Sequence, residues 1–401
     1  GMGSVSQIGW EWYKHLSQKV ETTLVTHIRN RETLETAGAP LPNSEIVYVD
    51  TEWFAAPLYK TAKKLFPKSE HAVFMLSSLD FFVYDYIAVK KLQELMKKGK
   101  NWDIVHAVTP VSTFAPTRLH QLGLPLVVGP LNGGLGKVAA FPEIMKAESS
   151  WLYPLRNIAI LLDKVIGSTH KAAKILTATK ATIDSLPDKV HSKCTQMIEN
   201  GIILDRFKPT PWPSTPSEKN PLKILFVGRL IPVKGIPMLI EAVADLKKEF
   251  PVELRIAGSG AMFAQLREQV EQLGLCETVK FLGALSLDEV AEQMQQAHLF
   301  CLPSVRESGG AVLLEAMASA RPVVALNFGG PSEIVDSSVG HLIEATGVEQ
   351  VVKGLAETIR DLFRSPEKWK QKGLQGRQRA EQEYSWQAKI DQALKIYQEV
   401  V

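Results

Sequence analysis

Residues 208–221 read KPTPWPSTPSEKNP, with five prolines among residues that are mostly small, polar or charged. Proline cannot continue a helix and cannot donate to the interior of a sheet, so no regular element passes through such a segment. It divides the chain into residues 1–206 and residues 222 onward, joined by a linker over 207–221. With 401 residues in all, each part has the length of one ordinary domain of roughly 100–200 residues.

In both parts short β-branched or apolar runs alternate with longer amphipathic patterns, the signature of a parallel sheet with helical crossovers. The first part predicts a helix over 8–19, strands at 22–27 and 45–49, a long helix over 80–96 and a strand at 103–107. A helix over 113–122, a strand at 126–128, a helical pattern over 151–168, a strand at 174–178 and a helix over 179–186 follow. The second part predicts strands at 223–227, 252–257, 279–282, 299–302 and 323–326, separated by helices, and a helix-rich tail from 348. The expected fold is α/β, with two Rossmann-like doubly wound domains; the second runs over 222–384.

Hydrophobic residues make up 45% of the chain and charged residues 22%, a globular rather than disordered profile. The longest apolar runs, such as 158–162, fall far short of the 18 or so residues a membrane span needs. The N-terminus has neither a basic nor an apolar leader segment, and Gly1 before Met2 reads as a tag-cleavage scar, so a cytoplasmic protein is expected. Cys194, Cys276 and Cys301 are too scattered for a disulfide framework or a thiolate metal site, and the nine histidines form no HExxH cluster, so no metal site is expected.

The formal charge of +3 is too small to imply a nucleic-acid partner. The densest basic cluster, Lys90, Lys91, Lys97, Lys98 and Lys100, falls on a helical pattern. It reads as a solvated face, or, more sharply, as a surface for peripheral contact with anionic lipid at the inner face of the membrane or with a phosphorylated acceptor.

Two segments carry chemistry. In the first, a predicted strand ends in Val227-Gly228-Arg229, and Lys234-Gly235 opens the next helix. Ligands bind at strand ends of open α/β sheets, where helix-start amides with Arg229 and Lys234 would suit a diphosphate. Surface charges beside a turn are the plain alternative. In the second, Pro303-Ser304-Val305-Arg306-Glu307-Ser308-Gly309-Gly310-Ala311 joins a strand end to a helix. The glycine pair lets backbone approach a ligand closely, and the helix start favours an anion. Glu315 interrupts an otherwise apolar helix, and its charge is costly to bury without hydrogen-bond donors such as ribose hydroxyls. A dipole-stabilised Glu315 that reaches water, and a solvated loop Glu307, are the plainer readings.

With these residues in view, the second half resembles the retaining GT-B glycosyltransferases of family 4. The likeness rests on VGRL and KG within 227–235, IAGSG at 256–260, FLG at 281–283, PS, ES and G within 303–309, the spaced Glu307 and Glu315, and EAMASARPVVA at 315–325. The resemblance implies two domains facing across a cleft and a nucleotide-diphosphate sugar as co-substrate, with no separate cofactor. It places Arg229 and Lys234 on the donor diphosphate and Glu307 on the sugar hydroxyls. Glu315 would take the ribose, Gly228 and Gly258 would approach the donor, and the amides around Ser308, Gly309, Gly310 and Ala311 would hold the phosphates. The acceptor would be a carbohydrate, lipid-linked or small-molecule hydroxyl, as in polysaccharide biosynthesis.

The first half is less similar. Asp103-Ile104-Val105-His106 resembles the family's DxVH strand end, which makes His106 a candidate for catalysis, against a hydrogen-bonded strand-end histidine. Val108 stands where members often have a second histidine. Gly129-Pro130-Leu131-Asn132-Gly133-Gly134 replaces another, with Asn132 as its substitute or a plain turn. Glu199-Asn200-Gly201-Ile202 with Phe207 resembles the approach to the second domain, and residues 385–401 resemble the final helix that packs back on the first. Members open on a strand and a glycine-rich loop; this chain opens on a helix, so the first strand of the N-terminal sheet is expected to be missing. The alternatives are a sugar-nucleotide epimerase and a nucleotide-sugar-binding protein impaired in catalysis.

Overall fold

The computed structural model describes residues 4–67, 73, 76–136, 138–146, 162–163 and 165–401. The helical pattern over 151–168 lies largely outside these residues, as do Gly1, Met2 and Gly3.

Helix α1 (Ser4–Leu16) leads into strand β1 (Thr22–His27), followed by α2 (Arg31–Thr36), β2 (Ser44–Val49), α3 (Glu52–Leu65) and α4 (Asp80–Lys97). Next come β3 (Val105–Ala107), β4 (Leu126–Leu131), α5 (Pro142–Lys146), α6 (Ser168–Lys171), β5 (Lys174–Thr177), α7 (Lys180–Ser185) and β6 (Cys194–Gln196). Thr179 caps α7 by accepting from the Thr182 amide.

The expected helix over 113–122 is a single 3-10 turn, Leu119–Leu122. Pro116 breaks the stretch, and the Asp85 carboxylate of α4 accepts from Thr117 Oγ1 and from the Arg118 amide instead.

All strand pairs are parallel, but the first-domain sheet is in two pieces, β1 with β2 and β3-β4-β5-β6 in order. A cavity of about 900 Å³ is lined by residues from both β1 and β3 and roofed by Trp12 and Leu16 of α1. Trp102 Nε1 donates to Thr23 Oγ1 at 2.9 Å, joining the strand before the gap to the one after it. β1 and β3 are only half-buried, whereas every residue of β4 is buried.

The second domain is an uninterrupted six-stranded sheet, ordered β12-β11-β10-β7-β8-β9. Its strands are β7 (Leu222–Val227), β8 (Val252–Ala257), β9 (Val279–Gly283), β10 (Leu299–Leu302), β11 (Val323–Leu326) and β12 (Gly340–Ile343). Its helices are α8 (Ile236–Leu246), α9 (Phe263–Gln272), α10 (Leu287–Gln296), α11 (Ala311–Ala318), α12 (Gly330–Ile334), α13 (Val348–Arg364) and α14 (Pro366–Arg379). With helices on both faces the strands read as continuous apolar runs, and Leu225, Phe226, Phe300, Cys301 and Val324 are wholly buried. Burial of one such side chain contributes on the order of 1.5–3 kcal/mol, so this sheet is the stable frame of the molecule. The chain steps outward from β7 to β9 and then returns to β10 beside β7, so the crevice of this sheet opens above β7 and β10.

The proline-rich linker is strapped to this domain. The buried Arg321 guanidinium donates to the carbonyls of Thr210 and Pro211 and to Thr210 Oγ1. After α14 a π-turn (Ala380–Tyr384) leads into α15 (Trp386–Val400). Helix α15 returns to the first domain, where Trp386, Ile390 and Ile396 pack with Ile8, Trp12, Val127 and Leu176.

Candidate functional site

Loops from both sides of the switch point converge above β7 and β10. The Gly228 amide donates to the Ala257 carbonyl at 3.0 Å, and the Gly258 amide to the Gly283 carbonyl at 2.7 Å. A Cβ on Gly258 would stand 1.8 Å from the Gly228 carbonyl oxygen, so only glycine permits this approach. Arg229, at the end of β7, is exposed. Lys234 ends a 3-10 turn, Pro232–Lys234, that rests on the β10 loop through a 2.9 Å bond from the Val305 amide to the Val233 carbonyl. The Lys234 ammonium pairs with the Glu307 carboxylate, and each side chain is 16% exposed. Gly228, Arg229, Lys234, Gly258 and Glu307, read from separate motifs, thus lie on loops of one region.

Helix α11 starts after Gly310, which no side chain caps. The first amides of an α-helix lack intrahelical partners, and with the helix dipole they give this end, beside Ser308 and Gly309, the polarity that favours an anion. Glu315 is one turn further along. Desolvation pushes its carboxyl up to about 7, and the Arg206 charge opposes that only in part.

The first domain reaches the same loop. Asn132, just past β4, donates through Nδ2 to Glu199 Oε1 at 2.5 Å. Glu199 lies against Gly309, so closely that a Cβ there would come within 2.3 Å of Oε1. Arg306 Nη2 donates to the Leu135 carbonyl at 3.4 Å. Asn132 is therefore brought to the Gly309 loop.

His106 is not. Its Nδ1 hydrogen-bonds the Tyr397 hydroxyl at 2.5 Å and its Nε2 the Gly129 carbonyl at 2.6 Å, which uses both ring nitrogens. Burial pushes it down to about 4, against the bond to Gly129. The ring ties α15 to β4, with Trp12 edge-on at 5.0 Å between ring centroids.

The motif Glu199-Asn200-Gly201-Ile202 by itself assigns Glu199 no role. The available signal was a carboxylate just before Asn200-Gly201, in a segment that otherwise buries Met197, Ile198 and Ile202.

Of the basic cluster on and just after α4, Lys91 donates to the Tyr48 carbonyl and Lys100 pairs with Glu45, while Lys90, Lys97 and Lys98 are exposed. Among the described residues, no helix is long and apolar enough to cross a membrane.

Residues 212–376 match the family described as Glycosyl transferases group 1. The chain is 31% identical over 269 residues to the alpha-maltose-1-phosphate synthase of Mycolicibacterium smegmatis, covering 63% of this chain and 66% of that protein. It is 30% identical over 173 residues to the MMP alpha-(1->4)-mannosyltransferase of Mycolicibacterium hassiacum, covering 43% and 41%. The chain thus spans just under two thirds of one curated relative and less than half of the other. Among solved structures it resembles Anabaena HepE in complex with UDP, with a TM-score of 0.64 at 18% identity over 99% of this chain and 96% of that one. It also resembles the sucrose-phosphate synthase of Thermosynechococcus elongatus, with a TM-score of 0.60 at 17% identity over 94% and 98%. The fold is GT-B, two Rossmann-like domains.

Proposed function

We propose that this chain is a retaining glycosyltransferase of family 4, which moves a sugar from a nucleotide-diphosphate sugar to an acceptor hydroxyl. The observation that carries the reading is the convergence of Arg229, the Lys234–Glu307 pair and the uncapped start of α11 on the crevice above β7 and β10. It is supported by the family match over residues 212–376 and by the UDP complex of a protein of the same fold.

In this reading the diphosphate sits on the amides from Gly309 to Ala311, between Arg229 and Lys234. Those cations stabilise the charge that develops as the bond from the anomeric carbon to the phosphate oxygen breaks. The acceptor oxygen bonds to the anomeric carbon from the same face, and its proton passes to the leaving phosphate. Glu307 orients the sugar hydroxyls and Glu315 takes the ribose. Asn132, from the facing domain, acts on the donor side through Glu199, which lies against the Gly309 loop. The acceptor is a carbohydrate or a lipid-linked hydroxyl, the latter reached with Lys90, Lys97 and Lys98 against an anionic surface.

Isothermal calorimetry with UDP, GDP and ADP sugars tests the reading, followed by assay of nucleotide release with and without acceptor sugars. Micromolar binding of one donor and acceptor-dependent release are expected. Interconversion of the sugar without an acceptor would instead identify an epimerase. A second reading, a nucleotide-sugar-binding protein without turnover, is favoured by the gap between β1 and β3; binding with no release under any acceptor would select it.

A further inference from the structure

We propose that Glu199 is held as a neutral acid in a two-way pair with Asn132, and that this pair keeps carboxylate charge away from the anion seat at Gly309 and Gly310. The second half of the statement rests on the functional reading above.

Asn132 Nδ2 donates to Glu199 Oε1 at 2.5 Å. The other two oxygens, Asn132 Oδ1 and Glu199 Oε2, are both buried and without a hydrogen-bond partner among the described residues. If Glu199 were ionised, both would be acceptors with nothing to accept. One proton on Oε2 resolves both at once, because it donates to Oδ1 and closes a ring of two hydrogen bonds between acid and amide.

The surroundings favour that state. Glu199 is 4% exposed, and desolvation raises its pKa, outweighing the hydrogen bonds from its own backbone amide and from Asn132. The charges that face it are Glu307, which repels a second carboxylate, and Lys389 of α15. Lys389 is itself buried, spends a proton on the Ile198 carbonyl, and is pushed down to about 7 by desolvation, against the pull of Glu199. No ion pair within 4 Å joins Lys389 to Glu199 among the described residues.

The position gives the protonation a purpose. Glu199 Oε1 lies against Gly309, immediately before the uncapped α11 start. An ionised Glu199 would oppose a diphosphate there in a low-dielectric setting. As a neutral acid it supports the loop from behind at no electrostatic cost. Glu199 is a positioning residue, acting through Asn132 and Gly309.

Glu199→Gln keeps the two-way pair in amide form and cannot ionise. In the nucleotide-free protein, thermal unfolding at pH 5.5 should be within about 2 °C for wild type and variant, and by pH 8.5 the variant should be the more stable by about 3 °C or more. The raised pKa dictates that sign. Stability from neutral Glu199 is full below its unfolded value and is lost as pH rises through the folded one. Parallel profiles would overturn the proposal. So would a large loss of stability in the variant at pH 8.5, which is the signature of a Glu199–Lys389 ion pair. A second arm measures UDP affinity by calorimetry over the same range. The ratio of wild-type to variant Kd should rise with pH, by up to about tenfold per unit above the folded pKa. A constant ratio overturns the link to the anion seat. Absence of UDP binding by both proteins counts against the nucleotide reading and removes that link, and the stability arm still decides the pair.

Discussion

The Lys234 ammonium is already paired with the Glu307 carboxylate in the nucleotide-free site, where each side chain is 16% exposed. A donor diphosphate must therefore compete with Glu307 for this cation, and the sugar must be seated for Glu307 to find other partners. Glu307→Gln should separate the two roles. UDP, which has no sugar, should bind several-fold tighter because a negative charge beside its phosphates is gone. Turnover should fall by about 10²-fold or more with the loss of a charged contact to the sugar. Calorimetry and steady-state rates on one preparation measure both, and unchanged turnover would remove Glu307 from the sugar subsite.

Lys234→Ala should act in the opposite sense on UDP. It deletes a phosphate cation and leaves Glu307 to repel the diphosphate, so affinity should fall by about tenfold or more and turnover by about 10²–10³-fold. Folding should survive, because the pair is partly solvated and its loss costs on the order of 1 kcal/mol. Circular dichroism melts alongside the rates distinguish a chemical defect from unfolding.

Strands and helices were legible in the sequence of both domains, but the site residues of the second were more legible than those of the first, for physical reasons. Strands β7, β8, β10 and β11 lie inside a two-faced sheet, so each is a continuous apolar run, and glycines mark the ends of β7 and β8. Segment 113–122 carries the right apolar spacing for a helix, but Pro116 forbids it and Asp85, 32 positions from Thr117, supplies the bonds that hold the turn. His106 carries a family-like motif, yet its two partners are Gly129 and Tyr397, and the latter lies 291 positions away. The pairing of Asn132 with Glu199 spans 67 positions, and no local pattern records it.

The gap in the first-domain sheet should be visible as a difference in local stability. β1 and β3 each present an edge to the cavity, whereas β7 and β10 are paired on both sides. Native-state hydrogen exchange should give amides in β1 and β3 protection lower by about 10²-fold or more than those of β7 and β10, because opening them costs less than global unfolding. Uniform protection across the two domains would contradict a half-open first sheet.

Two glycines with positive φ should respond very differently to alanine. Gly258, at φ 143°, would place a Cβ 1.8 Å from the Gly228 carbonyl oxygen, and Gly274, at φ 64°, has nothing within 4 Å. Gly274→Ala should cost only the left-handed backbone penalty, about 1–2 kcal/mol. Gly258→Ala must push the β7 and β8 loops apart, with a cost of roughly 3–5 kcal/mol and a matching loss of UDP binding. Urea unfolding followed by tryptophan fluorescence gives both values.

His106 offers the sharpest separation of stability from chemistry. With Nδ1 on the Tyr397 hydroxyl and Nε2 on the Gly129 carbonyl, its ring pins α15 to the first domain. Burial depresses its folded pKa to about 4. Its contribution to stability is therefore full above the unfolded value, about 6.5, and is lost as pH falls from there through about 4. His106→Ala leaves the Tyr397 hydroxyl and the Gly129 carbonyl without that partner, at a cost of roughly 2–4 kcal/mol at neutral pH. Above pH 6 the imidazole is neutral in the folded protein, so it contributes no inflection to the rate profile there. Turnover per folded molecule, normalised by active-site titration with donor, should stay within a few-fold of wild type. A drop of 10²-fold at full occupancy, with an unchanged melting temperature, would return His106 to the catalytic machinery and require the Tyr397 contact to open during the reaction.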